Sequence, residues 1–161
     1  MEQFATFFLN DTLLGLPILT VREITPNIEI TEVPLAPDFI RGLVNLRGQV
    51  VTIIDLGTKL GLGGHKISEK SRLIIIKTNT ELSDIAIELG VKTSDDPVGL
   101  LIDKIGDVVS AEGDEIEPPP ANMDVGDLKY IRGIVKTKET LLTVLNLHQL
   151  LATENSQETI R

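Results

Sequence analysis

The chain of 161 residues contains no cysteine and no tryptophan, and its aromatic rings are one tyrosine and four phenylalanines. Without cysteine there is no disulfide framework, no thiolate nucleophile and no cysteine-ligated metal site. So few rings cannot build the stacking platform that single-stranded nucleic acid needs. Positive charge is also scarce. Fifteen Lys and Arg stand against 24 Asp and Glu, a net charge of -9, so the long-range field repels phosphate and anionic lipid headgroups. Neither nucleic acid nor direct membrane insertion is expected. The apolar N-terminal stretch is interrupted by Asn10, Asp11 and Thr12 and carries no basic residue before Arg22. It spells neither a secretory signal nor a spanning helix, and a cytoplasmic location is expected. In that setting the glycosylation sequon at Asn10 is incidental.

What is present is the balance of a soluble globular chain, with 42% hydrophobic and 24% charged residues. Apolar residues fall in short runs rich in Ile, Val, Leu and Thr: Phe4 to Leu9, Leu13 to Leu19, Leu43 to Leu46, Val50 to Leu56, Arg72 to Lys77, Val98 to Ile102, Ile105 to Val109, Ile131 to Val135 and Leu141 to Leu147. These are strand lengths, and Pro, Gly, Asn and Asp punctuate them at the spacing of an all-β chain. Two short helical signals remain, Leu56 to Leu62 and Leu147 to Leu151, each with Leu three or four residues apart.

The sequence also repeats itself. Ile40-Arg41-Gly42-Leu43-Val44 returns 91 residues later as Ile131-Arg132-Gly133-Ile134-Val135, and Thr52, Leu56 and Leu60 meet Thr143, Leu147 and Leu151 at the same offset. Upstream, Gly15-Leu16-Pro17-Ile18 matches Gly99-Leu100-Leu101-Ile102 at an offset of 84, Val21-Arg22-Glu23-Ile24 matches Ile105-Gly106-Asp107-Val108, and Pro34 meets Pro118. The chain therefore reads as two copies of one small β unit, with seven extra residues in the second. Each half is too small to be comfortable alone and has no staple, so the halves are expected to share apolar surface.

Chemistry is hard to find. His65 and His148 lack partners at metal-ligand or triad spacing, and Gly61-Leu62-Gly63-Gly64 lacks the Lys-Ser or Lys-Thr pair of a phosphate loop, which leaves it a flexible loop between the halves. Asp95-Asp96 and Asp114-Glu115 sit in turn-like contexts. No catalytic residue, metal site or cofactor is indicated, and the chain is not expected to be an enzyme. The two copies diverge most informatively where Asn45, Arg47 and Gly48 become Lys136, Lys138 and Glu139. Arg41 and Arg132 occupy the same place in both copies and are expected to pair with Glu23 and Asp107. Arg47 is expected to be exposed, because its counterpart Lys138 is also a long cation that would be costly to bury.

Taken in order, Gly15-Leu16-Pro17-Ile18, Val21-Arg22-Glu23-Ile24, Val33-Pro34, Phe39 to Gly48, Val50 to Leu56, Val98 to Asp103, Ile116 to Pro120 and Tyr130 to Gly133 make the chain resemble the CheW coupling proteins of bacterial chemotaxis. The resemblance spans nearly the whole sequence. It implies an all-β fold of two similar five-stranded SH3-like barrels packed together with short helices, the halves being 1–68 and 69–151 and the polar tail 152–161 fraying. It also implies a non-enzymatic adaptor whose partners are the regulatory domain of a CheA-like histidine kinase and the cytoplasmic hairpin tip of methyl-accepting chemoreceptors. Carried onto this sequence, the receptor groove would contain Glu23, Asn45 and Arg47, with Gly42 shaping the turn, and Ile18, Val21 and Ile105 would face the kinase. Two alternatives stand beside this reading: the same adaptor fold in another chemosensory-like pathway such as pilus motility, and a small-ligand β-barrel binding protein. Residues 79–96 are longer than is usual for the family, and Ile85-Ala86-Ile87 within them reads as a strand.

Overall fold

A computed structural model describes residues 1–152 apart from 27, 65 and 122–127. The strands are β1 (Glu2–Leu9), β2 (Thr12–Pro17), β3 (Val21–Thr25), β4 (Ile40–Leu46), β5 (Gln49–Asp55), β6 (Arg72–Ile76), β7 (Val98–Ile102), β8 (Lys104–Ile105), β9 (Val109–Ala111), β10 (Ile116–Glu117), β11 (Ile131–Lys136) and β12 (Leu141–Leu145). Helices α1 (Leu56–Lys59), α2 (Asp84–Glu88) and α3 (147–152) are short. One sheet runs β3-β6-β7-β5-β4. The other runs β10-β11-β12-β2-β1-β8, with β9 also on β1. Small pieces on an edge make the second sheet seven-stranded where five were expected, and the two-unit SH3-like arrangement holds.

The repeat is realised residue by residue. In β4–β5, Ile40 faces Ile54, Gly42 faces Ile53 and Leu43 faces Thr52. In β11–β12, Ile131 faces Leu145, Gly133 faces Val144 and Ile134 faces Thr143, and both ladders break register at the same place, before the glycine. Leu73 opposite Leu101 and Ile74 opposite Leu100 likewise answer Phe4 opposite Pro17 and Ala5 opposite Leu16.

Yet the two sheets are not the two halves of the sequence. Strand β2 runs parallel to β12, with Thr143 beside Leu14, and β7 runs parallel to β5, with Thr52 beside Val98. Each sheet thus combines the first two strands of one copy with the remaining strands of the other. A boundary at 68/69 does not separate the sheets, because a repeat says which residues are equivalent and not which copy they pair with. The tail beyond 152, like His65, lies outside the described residues.

Three apolar clusters follow from the pleat. Val44, Leu46, Val51, Ile53, Leu73, Ile75 and Leu101 fill one unit, and Phe4, Ala111, Val135, Leu142 and Val144 fill the other. The alternate side chains, among them Phe7, Leu14, Leu16, Ile54, Ile74, Ile76, Leu100, Ile102 and Leu145, meet in a larger cluster between the sheets. Central strands are therefore covered on both faces, which is why they read as continuous apolar runs. The expected shared surface is this layer, and Leu56, Leu60, Leu147, Leu150 and Leu151 from α1, α3 and their ends complete it. Repeat-equivalent Phe39 and Tyr130 both lie near the Lys59 ammonium, whose nitrogen is 4.1 Å from the first ring centroid and 6.0 Å from the second.

Residues Ile85-Ala86-Ile87 are helical, not a strand. The Ser83 hydroxyl accepts from the Ala86 N–H at 3.2 Å to start α2, and Gly90, at φ +80°, ends it. Three residues are too few for period to decide between helix and strand, and here the cap and the glycine decide.

Gly42 has φ +149°, and a Cβ there would collide with the Thr31 carbonyl oxygen, whereas Gly48, at φ +86°, has open space around it. Gly42→Ala should therefore lower unfolding stability by about 3 kcal/mol or more, through backbone displacement, while Gly48→Ala should cost about 1 kcal/mol, for the dihedral alone. Urea melts of the two variants should separate by that margin; equal midpoints would mean that Thr31 yields freely.

Candidate functional site

Strands β4 and β5 are joined by the two-residue turn Arg47-Gly48, since Leu46 pairs with Gln49. Both turn residues have positive φ, +52° for Arg47 and +86° for Gly48, the geometry that matches the twist of a tight hairpin. Glycine adopts it freely, whereas arginine is strained by it. The Asn45 side-chain oxygen accepts from the Gly48 N–H at 2.9 Å and closes the turn. The Arg47 side chain, 71% exposed, crosses to Glu23 on β3, at the opposite edge of the sheet, and donates to its carboxylate.

Arg22 lies beneath this pair. Its Nη1 donates to the Gln49 side-chain oxygen at 2.7 Å and to Glu81 at 3.3 Å, and its Nε is 3.6 Å from Glu23. The Arg47 hydrogen bond holds the Glu23 carboxyl below the usual glutamate range, against partial desolvation, with the Arg47 and Arg22 charges adding to it. Glu23 in turn raises the Arg47 guanidinium. Glu81 is also lowered, first by the Thr78 backbone N–H and then by the Thr78 hydroxyl and Arg22.

The expected receptor-side residues thus divide. Glu23 and Arg47 are in contact, and Asn45 shapes the turn that presents Arg47. Gly42 does not shape that turn: it sits buried at the β4 irregularity, packed against Thr31, as Gly133 packs against the Glu117 carbonyl. Of the expected kinase-side residues, Ile18 is 37% exposed beside β3, while Val21 and Ile105 are half-buried against the central layer. Val21, opposite Ile76, and Ile105, opposite Phe7, hold equivalent places in different sheets.

The expected partners of the repeated arginines also change. Arg41 reaches Asp55 at 3.2 Å rather than Glu23, because the hairpin lays β4 against the end of β5 and Glu23 is already engaged by Arg47. Arg132 makes a two-pronged contact with Glu2, at 2.8 and 2.7 Å, rather than with Asp107, because the strand exchange brings β1 into its sheet. Gln49 and Glu81 were not singled out in the sequence. Nothing there signals that Glu81, far along the chain, returns to Arg22. Among the described residues no cluster of three or more His, Asp or Glu is placed to hold a metal ion, and no helix is long and apolar enough to cross a membrane.

The CheW-like domain family matches residues 3–155. The chain belongs to that family. The chemotaxis protein CheW of Klebsiella aerogenes is 29% identical over 95% of this chain and 83% of its own. Protein FrzA of Myxococcus xanthus is 25% identical over 99% and 91%. The crystal structure of scaffolding protein TtCheW from Thermoanaerobacter tengcongensis superposes with a TM-score of 0.76 at 30% identity, covering 92% of this chain and 86% of that one. The CheW-like domain thus accounts for the duplicated architecture, and the Arg47 hairpin is a polar surface built on one of its two units.

Because the native Glu23 carboxyl titrates lower than it would in the unfolded chain, its stabilising contribution is complete at neutral pH and is lost as pH falls through the native titration. In a carboxyl-detected NMR titration Glu23 should titrate below ordinary glutamates, and Arg47→Gln should move it upward while Glu81 stays low. A Glu23 titration indifferent to Arg47→Gln would dissolve the pair.

Proposed function

We propose that this CheW-like domain is a non-enzymatic adaptor that couples chemoreceptors to a CheA-like histidine kinase in chemotaxis signalling. Receptor contact is made through Glu23, Asn45 and Arg47, with Gly42 holding the strand that leads into the Arg47 turn. Kinase contact is made on surfaces near Ile18, Val21 and Ile105. The observation that carries the reading is the exposed Arg47, strained at φ +52° and reaching across the sheet to Glu23. An exposed ion pair contributes little to stability, and a non-glycine residue at positive φ costs at least as much. A tip with so little net value to the fold fits a binding role. Adaptor function also accords with the scaffolding protein among the structural relatives, and a cytoplasmic location with the partners named. Protein FrzA among the relatives favours a second reading, in which the same adaptor serves another chemosensory-like pathway.

Arg47→Glu should weaken binding to a receptor-tip fragment by about 2 kcal/mol or more, roughly a thirtyfold loss of affinity, by placing like charge against Glu23 and the receptor surface. Binding to the kinase regulatory domain and the thermal melt should remain as in the parent protein. Paired titrations against both fragments test this. Unchanged receptor affinity would exclude Arg47 from the contact, and a collapsed melt would make its role structural.

A further inference from the structure

The connection between β6 and β7, residues 77–97, takes the place that Asn10 and Asp11 alone fill between β1 and β2. It is firmly built. The Thr93 hydroxyl donates to the Lys77 carbonyl at 2.6 Å, the Asn79 N–H donates to the Ser94 carbonyl at 2.9 Å, Thr78 and Glu81 form a capping box, and Leu82 and Ala86 are buried. On this base Ile85, Ile87 and Leu89 stand 64%, 57% and 69% exposed. Ile85 and Leu89 are one helical turn apart and share a side of α2.

Leu89 and Val91 form one wall of a cleft of about 660 Å³ whose other lining includes Pro17, Ile18, Leu19 and His148. The repeat places a second, smaller cleft at the equivalent position, where Asp103 stands for Leu19 and Gly57 for His148. There Leu62, from the connection after α1, lines the cleft and packs against the central layer. In the larger cleft Ile18 and Leu89 both remain exposed. Around this apolar ridge the insertion carries Glu81, Asp84, Glu88, Asp95 and Asp96, all exposed, against two bases, the exposed Lys92 and the half-buried Lys77.

From these features we infer that the insertion is a docking ridge for a short helical segment of a protein partner. That segment carries an apolar stripe bordered by Lys or Arg and places one apolar side chain between Leu89 and Ile18. A ridge with side chains one turn apart matches a stripe of the same spacing on another helix. The acidic border selects a basic one and disfavours a second copy of this chain, which would bring like charge against like. Nothing in this docking relies on the receptor contact at Arg47.

A designed helical peptide of about fourteen residues with a leucine stripe and flanking lysines is the probe, titrated by fluorescence anisotropy against the whole chain. Peptides with glutamate flanks, or with the same composition scrambled, serve as comparisons. Saturable binding of the lysine-flanked peptide is expected, at least about tenfold tighter than either comparison. Ile85→Asp, Leu89→Asp and Ile18→Asp should each weaken it about tenfold or more with unaltered thermal melts, and Arg47→Glu should leave it unchanged. Equal binding of the scrambled peptide would reduce the effect to bulk charge and overturn the inference. So would affinity indifferent to Ile85→Asp and Leu89→Asp together.

Discussion

Everything in this structure depends on the apolar layer between the two sheets. Either unit alone would have a small internal cluster on one face of its strands and a row of Ile, Leu and Phe facing water on the other. Fully burying each such side chain stabilises the chain by roughly 1.5–3 kcal/mol, and the shared layer buries Phe7, Leu14, Leu16, Ile54, Ile74, Ile76, Leu100 and Ile102 together. The strand exchange strengthens the same constraint, since neither sheet can be assembled from one sequence half. The helices obey it as well. Asp55 caps α1 through the Thr58 N–H at 3.2 Å, the equivalent Asn146 accepts from Gln149 at 3.2 Å, and both helices lay their leucines on the layer.

Much of this was legible in the sequence because duplication repeats geometry along with residues. Ile40-Arg41-Gly42 and Ile131-Arg132-Gly133 announced two equal units, and halves too small to stand alone announced a shared apolar surface. Exposure of Arg47 followed from a counterpart, Lys138, that no core would accept. Strand exchange was not legible, because Leu14 matches Val98 in the repeat whether it pairs with Thr52 or Thr143. The partners of Arg41 and Arg132 were hidden for the same reason. Asp55 and Glu2 become neighbours only when the hairpin and the exchanged strand are in place, and Glu81 reaches Arg22 only once the insertion has folded back. A triplet such as Ile85-Ala86-Ile87 carries no period of its own, and its conformation is set by the capping serine and terminating glycine outside it.

The two copies keep their sheets alike and differ in their connections. Where the first copy turns tightly at Arg47-Gly48, the second spans Thr137 to Thr140, with the Thr137 N–H donating to the Thr140 carbonyl at 2.9 Å. Where β1 and β2 are joined by Asn10 and Asp11, β6 and β7 are joined by a folded insertion. Connections can change in this way because they lie outside the apolar layer, so their replacement leaves the layer and its strands untouched. Arg22 ties two of these variable pieces together, touching Gln49 at the foot of the hairpin turn and Glu81 at the start of the insertion. Most of the Arg22 side chain is shielded from solvent, so its contacts are less screened than those at the surface. A partner that engages Arg47 draws on Glu23, which Arg22 also faces, and a partner that seats on the insertion bears on the element that holds Glu81. The two surfaces therefore share one cation, which ties the foot of the hairpin turn and the start of the insertion to the same strand, β3.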